Sequence, residues 1–206
     1  MMLKRFLATF AITIVLLVAS STALAATTQQ LEAAAEDTAE YLREVVALPQ
    51  VSSVGGEWSV IALTRGGYLT DNSYGITYYQ TLELTLQVNQ GILDERKTSE
   101  YARVVLALSA LGKDARDVAG FDLVAPLLDY NQVVWQGVNG PIFALLALDS
   151  GNYGDNAIRN SYLDYLLGQQ LADGGWALAG NKADPDTTAM ALQALAKYQN
   201  RDEIKA

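Results

Sequence analysis

The sequence predicts an all-α fold built from repeated helix pairs, and three observations carry that prediction. Apolar residues recur at helical spacing along most of the chain. An Ala-Leu pair returns at Ala62, Ala107, Ala147 and Ala194, with spacings of 45, 40 and 47 residues that suit helical hairpins. No alternating apolar run is long enough to argue for a sheet.

The first expected helix carries Leu31, Ala34, Ala35, Thr38, Tyr41, Leu42, Val45 and Val46 on one face. Glu32, Glu36, Asp37, Glu40, Arg43 and Glu44 occupy the other, which is the pattern of a half-buried helix. The same two-sided pattern returns near 158–170, where Ile158, Tyr162, Leu163, Leu166 and Leu167 oppose Arg159, Asn160, Asp164 and Gln169. Residues 78–88 and 121–130 repeat it more weakly. The Ala-Leu segments differ, being apolar nearly all the way round: 101–111 holds one charge, Arg103, and 142–148 holds none. A helix apolar on every side must be buried on every side. Alternation of the two kinds therefore implies two layers, an outer row of helices around an inner row. Gly55-Gly56 precedes the first inner helix, and Gly66-Gly67 and Gly112 act as stops. Gly140-Pro141 and Asp184-Pro185 set proline at or near a first helical position, where its missing N–H costs nothing.

Composition narrows the chemistry. The chain of 206 residues suits one domain, and an apolar fraction of 50% excludes a largely disordered one. A net charge of -9 without basic runs argues against nucleic acid and anionic membrane surfaces as partners. With no Cys and no His there is no disulfide, no thiol nucleophile and no Ser-His-Asp triad, and a zinc site is not expected. Residues 1–25 read as a signal peptide: Lys4 and Arg5, an apolar stretch from Phe6 to Val18, then the small-residue site Ala23-Leu24-Ala25. Export to the medium or cell surface follows, with a mature chain from Ala26 and no stable membrane insertion after cleavage.

Two motifs carry a family resemblance. Tyr165-Leu166, Gln170 and Gly174-Gly175-Trp176 match most of the QW repeat of squalene cyclases, although Ser161 and Tyr162 replace its opening basic-Gly pair. Gly55-Gly56-Glu57-Trp58 looks like a degenerate copy. Asp184-Pro185-Asp186-Thr187-Thr188-Ala189 is similar to the acid motif of class II terpene cyclases, with Thr187 in place of its last Asp. Extended to Ala191, it also looks like a segment of the intrinsic factor and transcobalamin type of cobalamin carriers. Residues 98–153, with Gln136-Gly137 and Asn139-Gly140-Pro141, resemble secreted bacterial proteins of prenyltransferase/squalene-oxidase repeats. The resemblance implies an α/α toroid, a two-layer ring or arc of helical hairpins. About four hairpins are expected over residues 26–206, whereas related rings close with about six. The expectation is an incomplete array, truncated at the C-terminus, with further domains in its full-length chain.

Candidate site residues are those arriving at the N-terminal ends of inner helices: Trp58 beside Glu57, Tyr101, Trp135, Gln136, Asn139, Trp176, Asp184 and Asp186. Aromatic walls with a few polar groups are the usual content of a small-molecule site. Each has a structural alternative. Asp184 is placed to cap a helix and Asp186 to favour its dipole. Trp58 and Trp176 are placed to pack between repeats, and Asn139 to cap the third inner helix. Gln136 is freer of such duties. Arg103 is expected to pair with a carboxylate such as Asp149, because an unpaired charge on an apolar helix is costly.

The leading expectation is a binding or adhesion module for a small molecule or cell-surface component, with no cofactor or metal and with cobalamin as its sharpest candidate ligand. The alternatives are a carboxylate enzyme, cyclase-like or glycan-active with Asp186 as the acid, and a structural spacer of a larger surface protein.

Overall fold

The structure, a computed structural model, describes residues 26–69 and 71–204. The signal peptide read at 1–25 lies outside the described residues. Among the described residues eight α-helices form: α1 (Thr28–Val45), α2 (Val54–Arg65), α3 (Ser73–Val88), α4 (Thr98–Ala110), α5 (Tyr130–Val134), α6 (Asn139–Ser150), α7 (Asn156–Gly168) and α8 (Pro185–Leu195). Short 3-10 turns cover Ala125–Leu128 and Ala196–Tyr198. Among the described residues there is no strand, only a bridge between Val118 and Phe121, so the all-α class holds. No described helix is long and apolar enough to cross a membrane.

The chain divides into two compact units, one ending at Tyr41 and one starting at Leu42. The first, as described, is α1 up to Tyr41. All that follows concerns the second.

Helix starts follow local chemistry. The Ser53 hydroxyl accepts from the Gly56 N–H at 2.9 Å and caps α2. Asp129, Asp155 and Asp184 cap α5, α7 and α8 in the same way. Gly55 and Gly56 fall inside the first turn of α2 rather than before it. A side chain at Gly56 would collide with the Gln50 carbonyl, its Cβ lying 1.9 Å from that oxygen, so the close approach of residue 50 requires glycine there. The weak pattern at 78–88 becomes a full helix, α3. The one at 121–130 does not: the Asp122 side chain accepts from the N–H groups of Val124 and Ala125, Pro126 follows, and the chain makes a 3-10 turn instead.

The four Ala-Leu helices pack in series, α2 on α4, α4 on α6 and α6 on α8. Helix α3 lies against α2, α7 against α6, and α5 against α6. A common register relates the series. Relative to Ala62, Ala107, Ala147 and Ala194, contacts run from one helix to a position one step further on the next. Glu57, five before its alanine, meets Arg103, four before the next, at 3.7 Å. Ser109, two after, meets Ser150, three after, at 2.8 Å, and Asp149 meets Lys197 in the same register at 3.0 Å. These contacts bring like ends of neighbouring helices together. Each Ala-Leu helix thus has a leading face towards its successor and a trailing face towards its predecessor.

Two expectations about these helices are corrected. They are not buried on every side at the ends of the series, since Ala62 of α2 and Ala189 and Leu192 of α8 are exposed. Arg103 pairs not with Asp149 but with Glu57 and, through a short contact, with Glu100. Asp149 instead accepts from Arg159 at 2.9 Å, from Lys197 and from the Tyr198 hydroxyl.

Candidate functional site

Hydrogen bonds and ring contacts divide the proposed site residues into groups at the N-terminal ends of the Ala-Leu helices. In the first, the half-open Trp58 ring of α2 meets Phe143 of α6, centroids 6.3 Å apart and tilted by 50°. Trp58, Arg103, Phe143 and Met190 occupy the same register position, four before the alanine, so this column runs along the series. Arg103 of α4 therefore stands in register between the two rings, held by Glu100 one turn earlier on its own helix.

Behind Trp58 lies Glu57, fully buried. Its Oε1 accepts from the Ser52 N–H at 2.8 Å and from the Tyr78 hydroxyl at 3.0 Å. Its Oε2 faces Arg103 Nε at 3.7 Å, and neither atom makes a hydrogen bond among the described residues. Burial pushes the Glu57 carboxyl above its ordinary value of 4.5, against the hydrogen bonds from Ser52 and Tyr78 and the charge of Arg103. The Tyr78 hydroxyl is itself pushed up by burial and by Glu57, so it remains a donor.

The pH consequence has a definite sign. Folded protein holds the Glu57 proton to higher pH than the unfolded chain does, so its stabilisation is fully present below 4.5 and is lost as pH rises through the raised value. Glu57→Gln cannot titrate. Its melting temperature relative to the unaltered protein is therefore expected to rise between about pH 4 and about pH 8. A gap independent of pH across that range would contradict the assignment.

In the second group Gln136 is engaged structurally rather than free. Its Oε1 accepts from the Thr98 hydroxyl and the Ser99 N–H, both at 3.0 Å, and its Nε2 donates to Ser99 Oγ at 3.0 Å. It thus satisfies the start of α4. Gln170 only closes its own turn, donating to the Gly174 carbonyl at 2.8 Å. Exposed Trp135 carries the Arg96 guanidinium 4.3 Å from its ring centre. Tyr101 is buried, and its hydroxyl accepts from the Leu93 N–H at 3.1 Å, anchoring the loop before α4. Asn139 is the first residue of α6 and not its cap, which is Val138.

The third group surrounds the start of α8. Trp176 is buried and donates from Nε1 to the Leu166 carbonyl at 2.7 Å, while its N–H donates to Thr188 Oγ1 at 3.0 Å. Asp184 Oδ1 accepts from the N–H and hydroxyl of Thr187, each at 2.7 Å, and these bonds hold its carboxyl below the ordinary range. Thr187 thus supports the cap at the position where the cyclase-like motif has an acid. Asp186 is exposed in the first turn.

No family model, curated protein or solved structure matches the chain. Sequence reasoning had grouped Glu57 with Trp58 but missed Glu100, Phe143 and the pairing with Arg103. Their signal was present in the register, which sets Glu57 and Arg103 one step apart on successive helices.

Proposed function

We propose that the protein is a secreted or cell-surface module that binds a small ligand on an α/α-toroid arc, at the N-terminal ends of the Ala-Leu helices. The observation that carries this reading is the pairing of the open Trp58 ring with Phe143 beside the Glu57–Arg103–Glu100 cluster. Rings offer a flat apolar platform, and the cluster offers fixed polar groups beside it, a combination suited to a ring-shaped organic ligand bearing a polar substituent. The buried atoms Glu57 Oε2 and Arg103 Nε hold unused hydrogen-bonding capacity in that cluster. The serial packing of Ala-Leu helices with flanking helices α3, α5 and α7 supports the two-layer arc.

The test is a titration of candidate ligands, with a corrinoid, simple sugars and a polyprenoid among them. Trp58→Ala is expected to weaken the ligand that binds by about 10- to 100-fold, the scale of an aromatic anchor. Because Trp58 is 40% exposed, the melting temperature should change little. Equal affinity in Trp58→Ala would remove Trp58 from the site, and no binding across the panel would count against these ligand classes.

A carboxylate enzyme is the second reading, and the raised carboxyl of Glu57, which shares Arg103 with Glu100, favours it. In that reading the proton donor is Glu57 rather than Asp186. Turnover of a panel ligand, lost in Glu57→Gln with the fold intact, would select it.

A further inference from the structure

Helix α5 packs against both α6 and α7, and α7 packs against α6, the third of the four Ala-Leu helices. A cleft of about 390 Å³ opens between α5 and α7, lined by Tyr130, Ser161, Asp164 and Tyr165. That volume falls at the lower end of the range of small-molecule pockets. Both walls belong to the middle of the series, with α4 before α6 and α8 after it. The shape of the cleft thus depends on neither end of the series.

The two tyrosine rings are set in place by the protein. Tyr130 stacks on the fully buried Tyr162 ring, centroids 6.0 Å apart and 9° from parallel. Tyr162 is fixed in turn by its hydroxyl, which donates to the Leu127 carbonyl at 2.7 Å. Tyr130 remains 38% exposed, so its unstacked surface is open to the cleft. Tyr165, one turn after Ser161, is half-buried, and burial together with the neighbouring Tyr130 holds its phenol above the ordinary value of 10.0. Both phenols therefore stay neutral.

The polar groups are of one kind. Asp164 is exposed on α7 and has no ion-pair partner among the described residues. Arg201, which reaches α7 one turn earlier, donates to Asn160 Oδ1 at 2.7 Å and pairs with Glu203 instead. The Ser161 hydroxyl donates to the Ala157 carbonyl at 3.1 Å, so its proton is committed. No lysine, arginine, side-chain amide or indole lines the cleft, and the two phenols are its only free donors. A sugar hydroxyl asks for donors and acceptors together. A methylated ammonium head asks for neither, because ring faces and one negative charge suffice.

We propose that this cleft is a second ligand site, for an organic cation with a methylated ammonium head. Its N-methyl groups rest on the Tyr130 and Tyr165 rings, and its charge faces Asp164. The site shares no residue with the Trp58–Phe143 platform and its charged cluster, so it is tested separately from the reading above.

The experiment is a ligand-observed NMR titration of the full chain, in the form in which it accumulates, with choline chloride up to about 20 mM and sodium chloride as the blank. Saturable binding is expected, with the N-methyl signal shifted upfield by the rings. Asp164→Asn should weaken it about 3- to 5-fold, the scale of an exposed charge pair. Tyr165→Leu should weaken it by about 5-fold or more. Because Asp164 is exposed, its variant guards against a folding defect in the second. The neutral carbon isostere of choline should bind at least about 10-fold more weakly, and Trp58→Ala should leave choline binding unchanged. No saturable binding, equal binding of the neutral isostere, or binding lost in Trp58→Ala and kept in both cleft variants would each overturn the proposal. Displacement of choline by methyl glucoside would overturn it as well, and would assign the cleft to a sugar.

Discussion

Arg159→Met is expected to lower stability by about 3–5 kcal/mol, the cost of removing one partner from a buried ion pair. The guanidinium is almost fully buried and donates from Nε to Asp149 Oδ1 at 2.9 Å. From Nη1 it reaches the carbonyls of Gly154 and Asp155, at 3.1 and 3.0 Å. From Nη2 it reaches Leu148 at 3.2 Å and, by a shorter contact, Tyr153. One planar fork thereby ties the end of α6 to the turn that starts α7, and lysine cannot reproduce five donors in that geometry. Arg159→Lys should therefore recover only part of the loss. Urea denaturation of both variants checks this, and a loss below about 1 kcal/mol for Arg159→Met would mean the network contributes little.

Trp176→Ala carries the next largest expected effect, about 3–5 kcal/mol, as for a large aromatic removed from a packed interior. Trp176 is 2% exposed and its indole bonds the Leu166 carbonyl at the end of α7. Trp176→Phe keeps most of the volume and loses that bond, so a cost of about 1 kcal/mol is expected. Similar costs for the two variants would show that the hydrogen bond, not the packing, fixes α7 to α8.

Much of the architecture was legible because it is local. The periodicity of apolar residues marked the Ala-Leu helices, and Asp184-Pro185 marked the start of α8, because capping and helical faces are written within a few residues. What escaped depends on partners distant in sequence. Charge chemistry alone points Arg103 to a carboxylate such as Asp149, whereas the helix that precedes α4 in the series supplies Glu57. Gln136 looked unoccupied because its three hydrogen bonds run to Thr98 and Ser99, far back along the chain. The apolar positions of 121–130 suggested a helix, and Asp122 with Pro126 overrode them through turn chemistry. The end helices α2 and α8 share the composition of buried ones, so their exposed faces could not be told from sequence pattern, only from which neighbour is present.

The most direct measurement of the central claim is the indole N–H spectrum of the protein during ligand titration. Its three tryptophans give three indole signals, assignable by single substitutions. Binding on the platform should move the Trp58 signal, which arises beside Phe143, and leave the buried Trp176 signal in place. A ligand that saturates the protein while shifting only Trp135 or Trp176 would contradict the account.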